Sequence, residues 1–179
     1  GVDGFAAVAH EALARQPTQL VGDLTEVVAG LQREGEGDLA RLEARGEILL
    51  RMGARVVGLA LHGGQLGESI CGIYLEGEGH QQEDTLFIER CRISNFSGDG
   101  IHLDHAWCFT VRNNMIIFNG GDGLAYSHWD GWVCENIFNN NNGYGIRGIA
   151  PNASVSVVSN RIEWNHRGGM LVEGGGHYH

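Results

Sequence analysis

Residues 111–124 read VRNNMIIFNGGDGL, and the same order of residue types returns through the second half of the chain. Asn114 in this stretch aligns with Cys91 before it and with Asn136 and Asn160 after it, at spacings of 23, 22 and 24 residues. A glycine stands nine residues after each of these four positions: Gly100, Gly123, Gly145 and Gly169. A repeat of nearly constant length predicts that successive turns of the chain stack on one another.

Apolar residues hold fixed places within this repeat. They occur two residues after the first column, at Ile93, Ile116, Phe138 and Ile162, and one residue after the glycines, at Ile101, Leu124, Ile146 and Met170. Such a short unit cannot bury its own hydrophobic face, so stacking on its neighbours must complete the core. The pattern predicts an all-β fold, a right-handed parallel β-helix that is a single-stranded solenoid with coils of 22–24 residues.

Asparagine recurs at two places in each coil. The first run is Asn114, Asn136 and Asn160, and the second is Asn119, Asn141 and Asn165. Asparagine tolerates left-handed backbone angles, and its amide can bond to an asparagine above and below, so both runs predict ladders at corners of the coil. An earlier coil is visible in residues 56–61 and 72–75, with a longer loop expected at residues 77–84.

The first 50 residues differ in composition from the rest and predict a small α-helical segment. Apolar residues at helical spacing indicate two amphipathic helices, and Asp38 could cap a short third helix that carries Leu39 and Leu42. This segment, residues 1–50, could cap the solenoid or drive self-association. The β-helix is expected from residue 56 to residue 179, where the chain stops inside a repeat, so further C-terminal coils are expected.

Composition and charge exclude some classes of partner. The formal net charge is −10, and all 12 basic residues are arginine, which argues against a nucleic-acid partner. No apolar run approaches the roughly 20 residues that cross a bilayer, so no membrane insertion is expected. The four cysteines form no CxxC pair and fall at different places of the repeat, which predicts reduced and mostly buried thiols. The pattern indicates no cofactor and no metal motif.

Candidate catalytic residues come from the outward positions of the strand that follows each glycine. Glu76 and Asp104 are expected on adjacent coils, near the ~5 Å separation of the paired carboxylates in retaining glycosidases, where one acid would raise the pKa of the other. Tyr74, His102 and His105 lie beside them and could supply a general base for a hydrolase, a lyase or an epimerase. The alternative is a set of solvated surface carboxylates and histidines.

Aromatic residues mark a second candidate site. Trp107, Trp129 and Trp132 are expected to cluster at the turn after the outward positions, where exposed indoles could stack on sugar rings. The candidate substrate-binding residues are these three tryptophans with His128, Asp130 and Arg147. Alternatively, the tryptophans cover the flank of the solenoid or pack between chains of an oligomer.

The chain resembles a known superfamily in residues 94–101, 118–123 and 130–133. These phrases are similar to those of right-handed parallel β-helix proteins, which include pectate-lyase-like enzymes, and most of all to phage tailspike and tail-associated members. The resemblance implies a virion or extracellular protein that binds a host-surface polysaccharide, as a homotrimer or as part of a larger virion assembly. It leaves open an enzyme that cleaves or modifies the polysaccharide, because the fold alone does not determine the chemistry.

Overall fold

The computed structural model describes residues 41–42, 48–50, 54–76, 85–127, 129–149, 153–174 and 176–178. The two predicted N-terminal helices and the predicted loop at residues 77–84 lie outside the described residues. Within those residues the chain forms β-strands and turns and contains no α-helix. None of the described elements is a helix long and apolar enough to cross a membrane.

The strands form three parallel sheets, and every third strand along the chain adds to the same sheet. Sheet 1 contains β1 (Arg41–Leu42), β4 (Ala60–His62), β7 (Arg92–Ser94), β10 (Met115–Ile117), β13 (Ile137–Asn139) and β16 (Arg161–Glu163). Sheet 2 contains β2 (Ile48–Leu50), β5 (Ile73–Glu76), β8 (Ile101–Asp104), β11 (Leu124–Ser127), β14 (Tyr144–Ile149) and β17 (Gly168–Glu173). Sheet 3 contains β3 (Arg55–Val57), β6 (Leu86–Glu89), β9 (Phe109–Arg112), β12 (Gly131–Cys134), β15 (Ala153–Val158) and β18 (Gly176–Tyr178).

The register of these sheets confirms the predicted parallel β-helix. In sheet 2, Leu124 pairs with Ile101 on one side and with Ile146 on the other. All three side chains are fully buried, as the inward columns predicted. Met170 continues this column but is more exposed, because β17 is the last strand of sheet 2 in the described chain.

The first asparagine ladder is present as predicted. Asn114 Nδ2 donates to Asn136 Oδ1 over 3.0 Å, and Asn136 Nδ2 donates to Asn160 Oδ1 over 3.0 Å. The backbone N–H of Cys91 donates to Asn114 Oδ1 over 2.9 Å, so Cys91 lies in the same column. The ladder therefore links four successive coils through one corner.

The second ladder has the same geometry. Asn119 Nδ2 donates to Asn141 Oδ1 over 3.0 Å, and Asn141 Nδ2 donates to Asn165 Oδ1 over 2.9 Å. Each coil is thus tied to the next at two corners.

Of the two reasons given for asparagine at these corners, the bonding between stacked amides is confirmed and the left-handed backbone angle is wrong. The residue before each first-ladder position adopts the left-handed conformation, not the ladder asparagine itself: Arg90, Asn113, Glu135 and Ser159, with φ between 53° and 59°. Asparagine suits the ladder position because its amide satisfies buried backbone groups. Asn136 Nδ2, for example, also donates to the carbonyl of Val111 over 2.8 Å.

The glycine columns have a steric cause. A Cβ atom added to Gly100 would lie 2.8 Å from the carbonyl oxygen of Gly123 and 2.8 Å from Asn119 Nδ2. At Gly123 it would lie 2.6 Å from the carbonyl oxygen of Gly145. Stacked coils approach so closely here that only glycine fits without movement of the backbone.

The position of Leu42 contradicts the predicted third N-terminal helix. It lies in β1 and pairs with Leu61 of sheet 1, so parallel pairing begins before residue 56. Local helix propensity is a weak preference, and pairing with an existing strand overrides it. The four cysteines all lie in described residues and form no disulfide; two of them, Cys71 and Cys91, are buried.

Candidate functional site

The candidate carboxylate pair lies on the outward face of sheet 2. Glu76 at the end of β5 pairs in register with Asp104 at the end of β8, as predicted. Neighbouring strands lie about 4.8 Å apart, so the two side chains leave adjacent positions of the same face. The structure therefore places the two residues on the same face of neighbouring coils.

Asp104 has two partners that the repeat did not predict, one on the next coil and one beside it in the chain. The hydroxyl of Ser127 donates to Asp104 Oδ1, and His105 Nδ1 lies 3.1 Å from the same oxygen. Burial raises the pKa of Asp104, but the Ser127 hydrogen bond and the nearby His105 and His102 lower it more, so its pKa lies below the ordinary value. The expectation that its pKa would be raised was wrong for Asp104, because the Ser127 hydrogen bond and the two histidines outweigh burial.

His102 lies between an acid and an aromatic ring. Its Nδ1 is 2.7 Å from Asp99 Oδ2, and its ring stacks on Tyr74 with centroids 5.4 Å apart and planes 25° from parallel. The hydrogen bond to Asp99 raises the pKa of His102, against the opposing effect of burial. Tyr74 and His102 are thus together, as predicted, but His102 is bonded to Asp99 and not to the Glu76 and Asp104 pair.

Trp107 and Trp129 form a stack beside this face. Their ring centroids are 5.0 Å apart and their planes are 24° from parallel, on the turns that connect sheet 2 to sheet 3 in successive coils. Trp129 is 41% exposed, so one face of the stack meets solvent. The exposed part belongs to Trp129, since Trp107 is only partly exposed. We call these two residues the aromatic edge.

Trp132 lies in β12 of sheet 3, in register with Thr110 and Ser156, and is 54% exposed. It therefore projects from a sheet face and not from the connecting turn. His128 lies outside the described residues.

The remaining predicted binding residues have structural partners. Asp130 Oδ1 accepts a hydrogen bond from the backbone N–H of Ser154 over 3.0 Å. Arg147 forms an ion pair with Asp122, with 2.9 Å between Nε and Oδ2. Ala125, which shares the outward column with His102 and Arg147, is buried, so this column presents no continuous surface to solvent.

One group of chemically active residues was missed by the sequence reasoning. The possible ligand atoms of Cys71, Asp99 and His102 all lie within 4.8 Å of one another. Cys71 and Asp99 each stand one residue before a glycine of the repeat, Gly72 and Gly100, so the register would have placed them on top of one another. A thiol, a carboxylate and an imidazole at such distances can bind a transition-metal ion.

A family model matches most of the chain. The model of the family described as NosD, periplasmic copper-binding protein, matches residues 46–178, about three quarters of the chain. No curated protein and no solved structure matches the chain. The periplasmic description of the family is consistent with the extracellular location that the superfamily resemblance implied.

Proposed function

We propose, from the premise that this chain belongs to the NosD family of periplasmic β-helix proteins, that it is an exported protein that binds a polysaccharide at the aromatic edge. The observation that carries this proposal is the stack of Trp107 and Trp129, of which Trp129 is exposed. Indole rings are flat and amphipathic, and the C–H faces of pyranose rings pack against such surfaces. The two rings cover each other's inner faces, so a sugar ring would pack on an outer face of the stack.

Polar groups next to the aromatic edge support this function. Asp104 and Ser127 end the two strands that lead into the turns of Trp107 and Trp129, and they already form a hydrogen bond with each other. Carboxylates, hydroxyls and imidazoles can accept from or donate to sugar hydroxyls. An aromatic surface bordered by such groups suits a ligand that is apolar on its ring faces and polar on its rim.

The charge around the edge favours a neutral polysaccharide over an acidic one. Glu76, Asp104 and Asp130 lie on three successive coils around the edge, and the whole chain carries a formal net charge of −10. Like charges at an interface are unfavourable, so uronate-rich or sulfated chains would be repelled. The proposed ligand class is therefore a neutral polysaccharide.

Binding without cleavage fits the carboxylates better than hydrolysis does. A glycosidase needs one carboxylic acid with a raised pKa to protonate the leaving oxygen. Asp104 has the opposite shift, since its partners stabilise the carboxylate form. A virion location, a homotrimer and the enzymatic alternative remain predictions, and light scattering of the purified protein tests the trimer.

Affinity electrophoresis in gels that contain single polysaccharides tests the proposed function. We expect retardation by at least one neutral polysaccharide, none by alginate, and no release of new reducing ends during long incubation. Free migration in all neutral gels contradicts polysaccharide binding, and release of reducing ends supports the enzymatic alternative instead.

The family description suggests copper binding as a second candidate function. The observation that favours it is the group formed by Cys71, Asp99 and His102, because thiolate and imidazole are ligands that copper accepts readily. Uptake of copper by the purified protein tests this function.

A further inference from the structure

We propose that Cys71, Asp99 and His102 together hold a single copper(I) ion, an inference that rests on the second proposed function and assigns it to a site. The possible ligand atoms of the three side chains lie within 4.8 Å of one another, a span that one ion at its usual bonding distances can bridge. No residue of the aromatic edge belongs to this group, so the two proposed sites are separate.

The β-helix register creates the site. Ile73 pairs with Ile101 in sheet 2, so Cys71 and Asp99, two residues before them, lie on neighbouring coils at the same corner. The backbone confirms this, because Gly72 N–H donates to the carbonyl of Asp99 over 3.0 Å. His102 follows Asp99 by three residues, and its ring turns back to the carboxylate at 2.7 Å.

Contacts around the site hold two of the three ligands in place. Asp99 Oδ1 accepts the backbone N–H of Asp122 over 2.6 Å, and this bond leaves Oδ2 directed at His102. The ring of Tyr74 stacks on His102 and restricts its rotation. Metal sites commonly fix their ligands through such outer contacts, which orient the donor atoms before the ion arrives.

The donor set and the family description together favour copper(I). Thiolate ligands select copper(I), zinc and iron–sulfur clusters, while calcium and magnesium take oxygen ligands. A zinc ion can also take three protein ligands with water as the fourth, and the copper-binding description of the family decides between zinc and copper(I). Cys71 is only 7% exposed, so its sulfur is shielded from solvent. Copper would enter from the side of His102, which is partly exposed.

Anaerobic competition with the coloured copper(I) complex of bicinchoninate tests the site. The wild-type chain should withdraw a single copper(I) ion per molecule. Cys71→Ser should lower the copper(I) affinity by about 100-fold. Loss of a residue that only orients a metal ligand already lowers affinity by about 10-fold to 100-fold, and Cys71 is itself a proposed ligand. The matched control is Cys134→Ser, which removes a half-buried thiol in β12 outside the group and should leave the affinity unchanged.

A second measurement uses the wild-type chain, so it tests the site even if Cys71→Ser does not fold. In the wild-type chain, copper(I) should slow alkylation of Cys71 by N-ethylmaleimide, read by peptide mass spectrometry, and should leave Cys134 unaffected. If the wild-type chain withdraws no copper(I), the copper function and the site fail together. If copper(I) is bound but Cys71→Ser binds it equally well, or Cys71 is not protected, the assignment of the site is wrong while copper binding stands.

Discussion

Asn114 lies directly over Asn136, and its Nδ2 donates to Asn136 Oδ1 over 3.0 Å in the buried corner of two successive coils. The same Oδ1 also accepts the backbone N–H of Asn114 over 2.9 Å. One amide therefore satisfies both a side chain and the backbone of the preceding coil. This bond repeats along the solenoid and fixes the vertical register on which both candidate sites depend.

Removal of one buried ladder amide should cost several kcal/mol of stability, about the cost of two unsatisfied backbone groups. Asn136→Ala leaves the carbonyl of Val111 and the N–H of Asn114 without their partner, and each unsatisfied buried group costs about 1–3 kcal/mol. We expect the free energy of unfolding to fall by about 3 kcal/mol. The control is Asn142→Ala, an exposed asparagine on the same coil, and equal losses in urea denaturation would show that the ladder adds nothing.

The left-handed backbone of Arg90 predicts that Arg90→Gly is tolerated, whereas Arg92→Gly should destabilise the protein. Arg90 has a φ of 53°, which costs a non-glycine residue about 1–2 kcal/mol, whereas Arg92 lies in the extended strand β7. Both side chains are exposed, and both substitutions add the same freedom to the unfolded chain. Urea denaturation should find Arg90→Gly more stable than Arg92→Gly by about 1–2 kcal/mol. The opposite order would contradict the strain at residue 90.

The Ser127 hydrogen bond predicts a pH dependence. Although burial raises the pKa of Asp104, its hydrogen bond from Ser127 and the nearby histidines bring the pKa below the ordinary value. A carboxyl with a lowered pKa in the folded state adds stability above its unfolded pKa, and this stability is lost as the pH falls through the folded pKa.

Ser127→Ala should therefore destabilise the protein more at neutral pH than near pH 2.5, which lies well below the ordinary pKa of an aspartate. Urea denaturation at both values measures the difference. Ser156→Ala, in β15, serves as the control and should show the same loss at both values. A Ser127→Ala effect that is independent of pH would mean that the hydroxyl does not act on the carboxylate.

Cys91 should be unreactive until the chain unfolds. Burial raises the pKa of Cys91 to about 11, so almost no thiolate is present near neutral pH, and the thiolate is the form that reacts. Alkylation with iodoacetamide, followed by peptide mass spectrometry, should label half-buried Cys134 faster than Cys91 in the native protein. Equal rates in the folded protein, and a rise for neither thiol on addition of urea, would contradict the buried position of Cys91.

The repeat was sufficient to predict the fold because a β-helix converts constant spacing into vertical neighbours. The pairing of Leu124 with Ile101 and of Glu76 with Asp104 follows from counting residues alone. Spacing did not show which residue of a corner takes the left-handed conformation, since Asn113 and Asn114 are both asparagine. That choice depends on which side chain can reach the buried carbonyls.

The candidate sites were harder to predict because they depend on side-chain direction. Asp104 was paired with Glu76 below it, but the hydroxyl of Ser127 above it determines its pKa. The group that includes Cys71 requires His102 to turn back to Asp99, which no spacing rule specifies. Alignment of the residue before each glycine would nevertheless have brought Cys71 and Asp99 together.

Affinity electrophoresis with matched tryptophan variants tests the central claim, that the aromatic edge binds a neutral polysaccharide. Trp129→Asn removes half of the stack. The control, Trp164→Asn, removes a tryptophan that lies outside the stack and is 77% exposed. Asparagine is chosen because it tolerates the φ of 56° at residue 164. We predict that Trp129→Asn weakens binding about tenfold, or 1.4 kcal/mol, and that Trp164→Asn leaves it unchanged. Equal retardation of both variants and the wild-type chain would contradict the account.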